Sequence, residues 1–435
     1  MFLFSKNGRV LLLSFIFLFS SSLTVAQVPS SRIEKEITKH QREITQIRRF
    51  LHMNPELSHQ EYETSKLLAS KLLSLGLEVH RKVAQTGVVA LLRGNDNGLT
   101  VGVRAPMDAL PIQESTNLPY KSLNPGIMHA SGNDIHMSIV LGTAMVLTSL
   151  QEEIKGNIKF IFQPAGEEDN PEKTTGARLM IQEGVLKNPP VGAMFGFRVW
   201  PVKLGTVLFS PGPALASSDR FTVVVKGTPS HGARPHKGID AVTLASQIIV
   251  NLQNILNRTT DPTQPSVVSV GKIQGGIRSD ITAPRVRLEG TIQTFHSQAR
   301  ERIPQLIEKV VKGVTLPVGA DYSFHYQKGS PPVYNHPELA QIILPSLYGV
   351  IGKDHVKHLT PRLISEDFSY FCEKIPGFFF LLGSKPPEQK SMAPLYSPGF
   401  SPDEGSIYLG IRILCHLLID ALESQSDLEG NMPDL

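Results

Sequence analysis

The feature that most constrains this chain is a change of texture in its middle. Val88–Leu92, Leu99–Val103, Ile158–Phe162 and Met194–Trp200 are short apolar runs without strict alternation, which predicts strands buried on both faces. Helical segments lie between them, notably Ser138–Gln151 and Thr175–Glu183, and alternating strand and helix argue for an α/β sheet domain. Two leading helices are predicted at Ser31–Leu51 and Glu61–Leu75, the second stopped by Gly76. From Ser217 the pattern changes. Phe221–Lys226 reads as a strand, Ala241–Asn257 as a long amphipathic helix, Ser266–Ile273 and Val286–Phe295 as strands, and Ser297–Val314 as a helix. That order describes a compact α+β insertion of about 110 residues, an ordinary domain size. After Tyr334 the α/β texture returns, with a helix near Glu338–Val350, a strand at Phe378–Leu382 and a last helix at Ser406–Leu422. The expected organisation is a catalytic-type domain over 33–215 and 333–425, interrupted by a smaller domain over 216–332.

Composition excludes several other classes. Of 435 residues, 41% are hydrophobic, enough for two cores and too many for a disordered chain. The net charge of +4 is spread without a Lys/Arg block, so no nucleic-acid partner is expected. Two cysteines cannot form a disulfide scaffold, and whether Cys372 and Cys415 pair stays open. Residues 1–26 read as a secretory signal: Lys6 and Arg9, an apolar run over 10–19, then small residues up to Ala26. The run is short for a membrane span, with an uncleaved anchor as the alternative. Either way the mature protein is expected to be secreted, periplasmic or otherwise outside the cytoplasm, without stable membrane insertion after cleavage. Asn257-Arg258-Thr259 is a glycosylation sequon.

Four segments carry candidate chemistry: Arg104–Pro111 after a strand, His129–His136 before a helix, Phe162–Asp169 after another strand, and Ser230–His236 in the inserted domain. The first and third lie at strand C-terminal ends, where open sheets bind ligands. Paired carboxylates beside a His-rich loop suit a metal hydrolase, one as ligand and one as general base.

In these segments the chain resembles the M20 family of metallo-amidohydrolases and carboxypeptidases. It is most similar to the branch of N-acyl-amino-acid, hippurate and auxin-conjugate hydrolases. The resemblance runs from about Ile37 to Leu422. It rests on Arg48–Ser58, Met107–Glu114, Gln163-Pro164-Ala165, Ser230–His236, Gly275-Gly276 and Ser365-Glu366-Asp367-Phe368. It implies a zinc-peptidase-like α/β domain interrupted by a ferredoxin-like dimerisation domain, a small acyl-amino-acid or peptide-like ligand, and a divalent metal (Zn, Mn or Co) if the family chemistry survives.

The departures fall on the metal positions. Where the family has Cys and His in its His-Ala-Cys-Gly-His-Asp loop, this chain has Ser131 and Asn133. Arg198 replaces a His before Val199-Trp200-Pro201, and Tyr396 replaces the His of a late His-Ser-Pro motif. Gly166 interrupts the Glu-Glu pair after Gln163-Pro164-Ala165. Without a gap, Gly166 replaces the base and Glu167 takes the ligand position; with one inserted residue, Glu167 is the base and Glu168 the ligand. Hydroxyl and amide groups are weak ligands for such ions, and a guanidinium is positively charged with no lone pair. The expectation is therefore a site holding no metal, in a catalytically impaired homologue that binds an N-acyl amino acid. The alternatives are an active amidohydrolase with an unconventional site and a structural dimer module.

Glu167, His231 and Asp108 are the candidate catalytic residues, and Arg234, His236, Arg198 and Asp280 the candidate ligand-binding residues. The resemblance makes His231 the imidazole that stabilises a substrate carbonyl, and implies a homodimer or pairing with an active relative. His129 and His136 read as supporting residues, Glu366-Asp367 as a turn and helix cap, and Trp200 and Phe378–Phe380 as core.

Overall fold

The computed structural model describes residues 28–424, apart from 97, 169–172, 260 and 262 and the side chains of 256 and 257. The signal segment and the Asn257 side chain therefore lie outside the described residues. The large domain opens with α1 (Ser30–Met53) and α2 (Tyr62–Ser74), then β1 (Glu78–Val83), β2 (Gly87–Arg93) and β3 (Thr100–Pro106). Next come α3 (Asn133–Thr148), β4 (Asn157–Gln163), α4 (Gly176–Gln182), β5 (Val191–Lys203), β6 (Val207–Phe209) and β7 (Gly212–Leu215). The inserted domain is β8 (Asp219–Lys226), α5 (Ala241–Thr259), β9 (Ser266–Gly275), β10 (Arg285–Thr294), α6 (Ser297–Thr315) and β11 (Asp321–Gln327). The chain returns through β12 (Val333–Asn335), α7 (Pro337–Ile351), β13 (Val356–His358), α8 (Ser369–Cys372), β14 (Gly377–Lys385) and α9 (Gly405–Glu423).

The large sheet has eight strands in the order β1-β2-β4-β3-β5-β14-β6-β13. Its centre, β4-β3-β5-β14, is parallel. Buried on both faces, these strands read as apolar runs rather than alternating ones. One face carries α1, α3, α7 and α9 over the larger core. The other packs α4 and α8 over a second core around Phe368, Phe371 and Phe379. Cys415 lies in the first layer and Cys372 beside the second, so the sheet separates them; both are free thiols. The question of their pairing is answered by topology.

The insertion forms a four-stranded antiparallel sheet, β11-β8-β10-β9, with α5 and α6 on one face. The order βαββαβ is ferredoxin-like. The sequence reading missed β11, whose Asp-Tyr-Ser-Phe-His-Tyr-Gln is half exposed, and β1, which is mostly exposed at the sheet edge. It also began α3 five residues late. Gly132 adopts φ +87° and turns the chain so that the helix starts at Asn133. A Cβ at Gly132 would lie 2.4 Å from Val199 Cγ2, so the loop packs directly against β5.

Candidate active site

The site lies where β3, β4 and β5 of the large sheet deliver their loops. Asp108 follows the end of β3, Ala165–Glu168 follow β4, and Arg198 stands on β5 opposite Leu381 of β14. Ala165 and Tyr396 have positive φ, 48° and 65°. Non-glycine residues in this region are uncommon and gather at functional sites.

Arg198 is the centre of the arrangement and is 3% exposed. Its Nη2 donates to Glu167 Oε1 at 2.8 Å and to the Tyr396 hydroxyl, while Nη1 donates to Glu366 Oε2 at 3.1 Å. The guanidinium also lies 5.3 Å from the centre of the Tyr396 ring. Burial works against its charge, but Tyr396, Glu167 and Glu366 outweigh burial and hold it protonated. Behind it, Arg104 donates to Glu366 at 2.9 Å, to Gln163 at 2.8 Å and to Asp367. The sequence predicts a turn and helix cap at Glu366-Asp367. The pair does make a turn, with Ser369 N–H donating to the Glu366 carbonyl, but its carboxylates are the counter-ions of two buried arginines. Burial raises the Asp367 carboxyl to about 7 despite Arg104.

Glu167, not Glu168, meets Arg198. Glu168 turns to His59 at 3.6 Å and Lys173 at 3.5 Å. At Gly166 a Cβ would come within 3.0 Å of Pro106 Cβ and 3.2 Å of Arg104 Nη2, so that position is closely walled.

Asp108 accepts from Ser58 Oγ at 2.6 Å and from the backbone N–H groups of Gly166 and Glu167 at 3.0 and 2.8 Å. It fixes the post-β4 loop. Burial, with Glu167 and Glu61 nearby, pushes its carboxyl up to about 8. Asn133 Nδ2 donates to the Asp108 carbonyl at 2.7 Å, and Asn133 Oδ1 lies 3.1 Å from His136 Nδ1. His136 Nε2 accepts from Val199 N–H at 2.9 Å. The two bonds fix the tautomer: Nδ1 carries the proton and donates to Asn133. Ser131 Oγ and both nitrogens of His129 are buried without a hydrogen-bond partner among the described residues. Burial lowers the His129 imidazole to about 4. Asp134 belongs to a separate buried network with Arg48 at 3.0 Å and His52 at 2.8 Å. Among the described residues no group of three or more His, Cys, Asp or Glu is placed to hold a metal ion.

The remaining sequence candidates sit on the inserted domain. His231, Arg234 and His236 are exposed on one loop, whose Gly232 N–H donates to the Asp280 carbonyl. The Asp280 side chain pairs with Arg278 at 2.9 Å. The hydrogen bonds and ion pairs of Arg198 among the described residues go to Glu167, Glu366 and Tyr396, not to this loop.

The comparisons agree with this architecture. Residues 102–420 match the model of peptidase family M20/M25/M40. A probable hydrolase of Synechocystis sp. is 38% identical over 86% of this chain and 94% of its own length. An N-acyl-L-amino acid amidohydrolase of Geobacillus stearothermophilus is 41% identical over 67% of this chain and 77% of its own. A dinuclear metal-binding M20 peptidase from Bacillus subtilis has a TM-score of 0.76 and 33% identity, covering 89% of this chain and 99% of that one. The chain belongs to the M20/M25/M40 peptidase family.

Proposed function

We propose that this M20-family chain keeps the family's amide ligand class but has replaced its metal with a resident cation. It would bind an N-acyl amino acid or peptide-like ligand beside Arg198. The observation that carries this reading is the Arg198 guanidinium, bonded at once to Glu167, Glu366 and Tyr396. A divalent transition metal is held by thiolate, imidazole and carboxylate donors, and it supplies Lewis acidity and an activated water. The residues at the family's ligand positions do not fit it. Ser131 offers a hydroxyl, the Asn133 oxygen is used by His136, and Arg198 brings positive charge. The placement of Glu167 supports the ungapped reading, in which Glu167 holds the ligand position and Gly166 the base position.

A second reading is an active amidohydrolase acting on N-acyl amino acids. The names of the relatives speak for it, because they are hydrolases and an amidohydrolase, and one solved neighbour binds two metals. On either reading we propose that a second copy brings the exposed loop of His231, Arg234 and His236 over the cleft. We also propose that the segment 1–26 exports the chain. One experiment separates the readings. The purified mature protein is analysed for Zn, Mn and Co, then assayed on N-acetyl and N-benzoyl amino acids with each metal and with chelator. Absence of stoichiometric metal and of turnover, with a thermal shift on adding an N-acetyl amino acid, is the outcome expected for the first. Chelator-sensitive turnover establishes the second and overturns the first.

A further inference from the structure

Arg198 and Trp200 stand two residues apart on β5, opposite Leu381 and Gly383 of β14. Phe195, Phe197 and Val199 lie in the larger core, whereas Met194 and Trp200 lie with the second one. Alternation along the strand therefore turns Arg198 and Trp200 to the same face, one step of about 6–7 Å apart. The segment Arg362–Glu366 meets that face at both ends. Glu366 bonds Arg198, and Arg362 places its guanidinium carbon 4.8 Å from the centre of the Trp200 ring. We propose that the Arg362 guanidinium, laid over Trp200, receives the free carboxylate of an N-acyl amino acid whose amide lies beside Arg198. The proposal rests on the ligand class shared by both readings above and adds the residues that recognise its acid end.

Arg362 differs from its neighbours in the site. Arg104 and Arg198 are buried against carboxylates. Arg362 and Trp200 are only half-buried, and no hydrogen bond or ion pair of the Arg362 side chain is found among the described residues. Of its three nitrogens only Nε is both withdrawn from water and unbonded there, which leaves the Nη end as the reachable one. The indole covers one side of the guanidinium and attracts its charge, so the ring sets where the cation rests. The two Nη groups then form a fork that matches the two oxygens of a carboxylate.

The backbone holds both residues in place. Arg362 N–H donates to the Ala214 carbonyl at 3.0 Å, and its own carbonyl accepts from Ala216 N–H at 3.1 Å. These bonds tie it to the end of β7, where the chain leaves for the inserted domain. The Trp200 carbonyl accepts from Ser384 Oγ of β14 at 3.1 Å. A cation fixed in this way loses little freedom when a ligand arrives. In an N-acyl amino acid the amide nitrogen and the carboxylate share one Cα. One strand step, with a hydrogen bond at each end, accommodates that separation.

The test titrates the full mature chain, with chelator present, with N-acetylalanine and with its neutral analogue N-acetylalaninamide. Trp200 is the one tryptophan of the sequence, so its emission reports on this ring alone. The acid should bind about tenfold or more tighter than the amide, the gain of a charged hydrogen bond, and should shift the emission saturably. Arg362→Gln should erase the preference for the acid and the emission response, and leave affinity for the amide unchanged. Arg362→Lys keeps the charge without the fork. It should restore part of the preference, and it serves in place of the glutamine variant if that one fails to fold. Arg42→Gln, on the exposed side of α1, should change nothing. Equal affinity of the wild-type chain for acid and amide overturns this assignment and leaves the ligand class standing. So does an acid preference that survives in folded Arg362 variants; a lower Tm in them would then assign Arg362 to a carboxylate of the chain itself. Binding of neither compound overturns both the assignment and the ligand class.

Discussion

Arg198 Nη2 lies 2.8 Å from Glu167 Oε1, and both side chains are nearly withdrawn from water, at 4% and 11% exposure. Removing one partner of a buried pair leaves the other charge uncompensated. Arg198→Met should therefore cost about 3–5 kcal/mol. Adding Glu167→Gln to it should recover part of that loss, because Glu366 still has Arg104. Urea denaturation of the three proteins checks this. A loss below about 1 kcal/mol in Arg198→Met would mean that the pair behaves like a surface one.

How far the sequence exposed this site differs residue by residue. Arg198 is legible because a guanidinium where the resemblance implies a metal ligand demands a carboxylate, and Glu167 is among the candidates. Glu366 escaped, since it reads as an ordinary turn residue. The available signal was two arginines, 104 and 198, inside apolar strands, which must find buried counter-ions. The register at Gly166 could not be settled by spacing. The path of the loop after β4 depends on a long-range contact, because Asp108 accepts from the backbone N–H groups of Gly166 and Glu167. The central strands were legible because burial on both faces removes polar residues. β1 and β11 were not, because exposed edge strands keep them. The relation of the His231 loop to Arg198 is set by domain placement, which no local pattern encodes.

Lys159 is another buried cation, and no ion pair with a carboxylate is found for it among the described residues. Its Nζ donates to the carbonyls of Val185, Lys187 and Pro189 at 3.0, 2.6 and 2.9 Å, clasping the turn before β5. Lys159→Met keeps the stem but strands three carbonyl oxygens. A loss of about 2–4 kcal/mol is expected, with faster proteolysis near residue 187 as the local signature. Wild-type stability in Lys159→Met would show that water replaces the ammonium.

Gly132 has φ +87° and no room for a side chain beside Val199. Gly132→Ala combines left-handed strain with overpacking, each typically about 1–3 kcal/mol. A lower Tm is expected, and Val199→Ala in the same chain should relieve the steric part but not the backbone part. Equal losses in the single and double variants would exclude the contact as the cause.

The acid limb of stability carries a sign that His136 makes testable. Burial, reinforced by Arg198, lowers its imidazole to about 3, while the unfolded chain protonates near 6.5. Between those values the unfolded state binds the extra proton. His136 thus withdraws stability as pH falls from about 6.5 toward 3, by up to about 1.4 kcal/mol per pH unit. The structural reason is that a proton on Nε2 would displace the Val199 N–H bond. His136→Gln can keep an acceptor there without titrating. Urea melts at pH 7.5, 5.5 and 4.5 should show a shallower acid decline in His136→Gln than in wild type. Parallel declines would assign the acid sensitivity to other groups, His129 first among them.

The proposed exchange of metal for guanidinium can be reversed. Ser131→Cys, Asn133→His, Arg198→His and Tyr396→His together restore a thiolate and three imidazoles, with Glu167 freed from its ion pair. At least one equivalent of Zn or Mn is expected in the purified protein, and chelation should lower its Tm because metal binds only the folded site. Two local features set the limits of the gain. His136 loses the Asn133 oxygen it now bonds, so some stability is lost. The walled position at Gly166 leaves little space for a second carboxylate, so hydrolysis should return less fully than metal affinity. A folded fourfold variant that takes up no metal would show that the side chains around Arg198 do not correspond to the family's ligand positions.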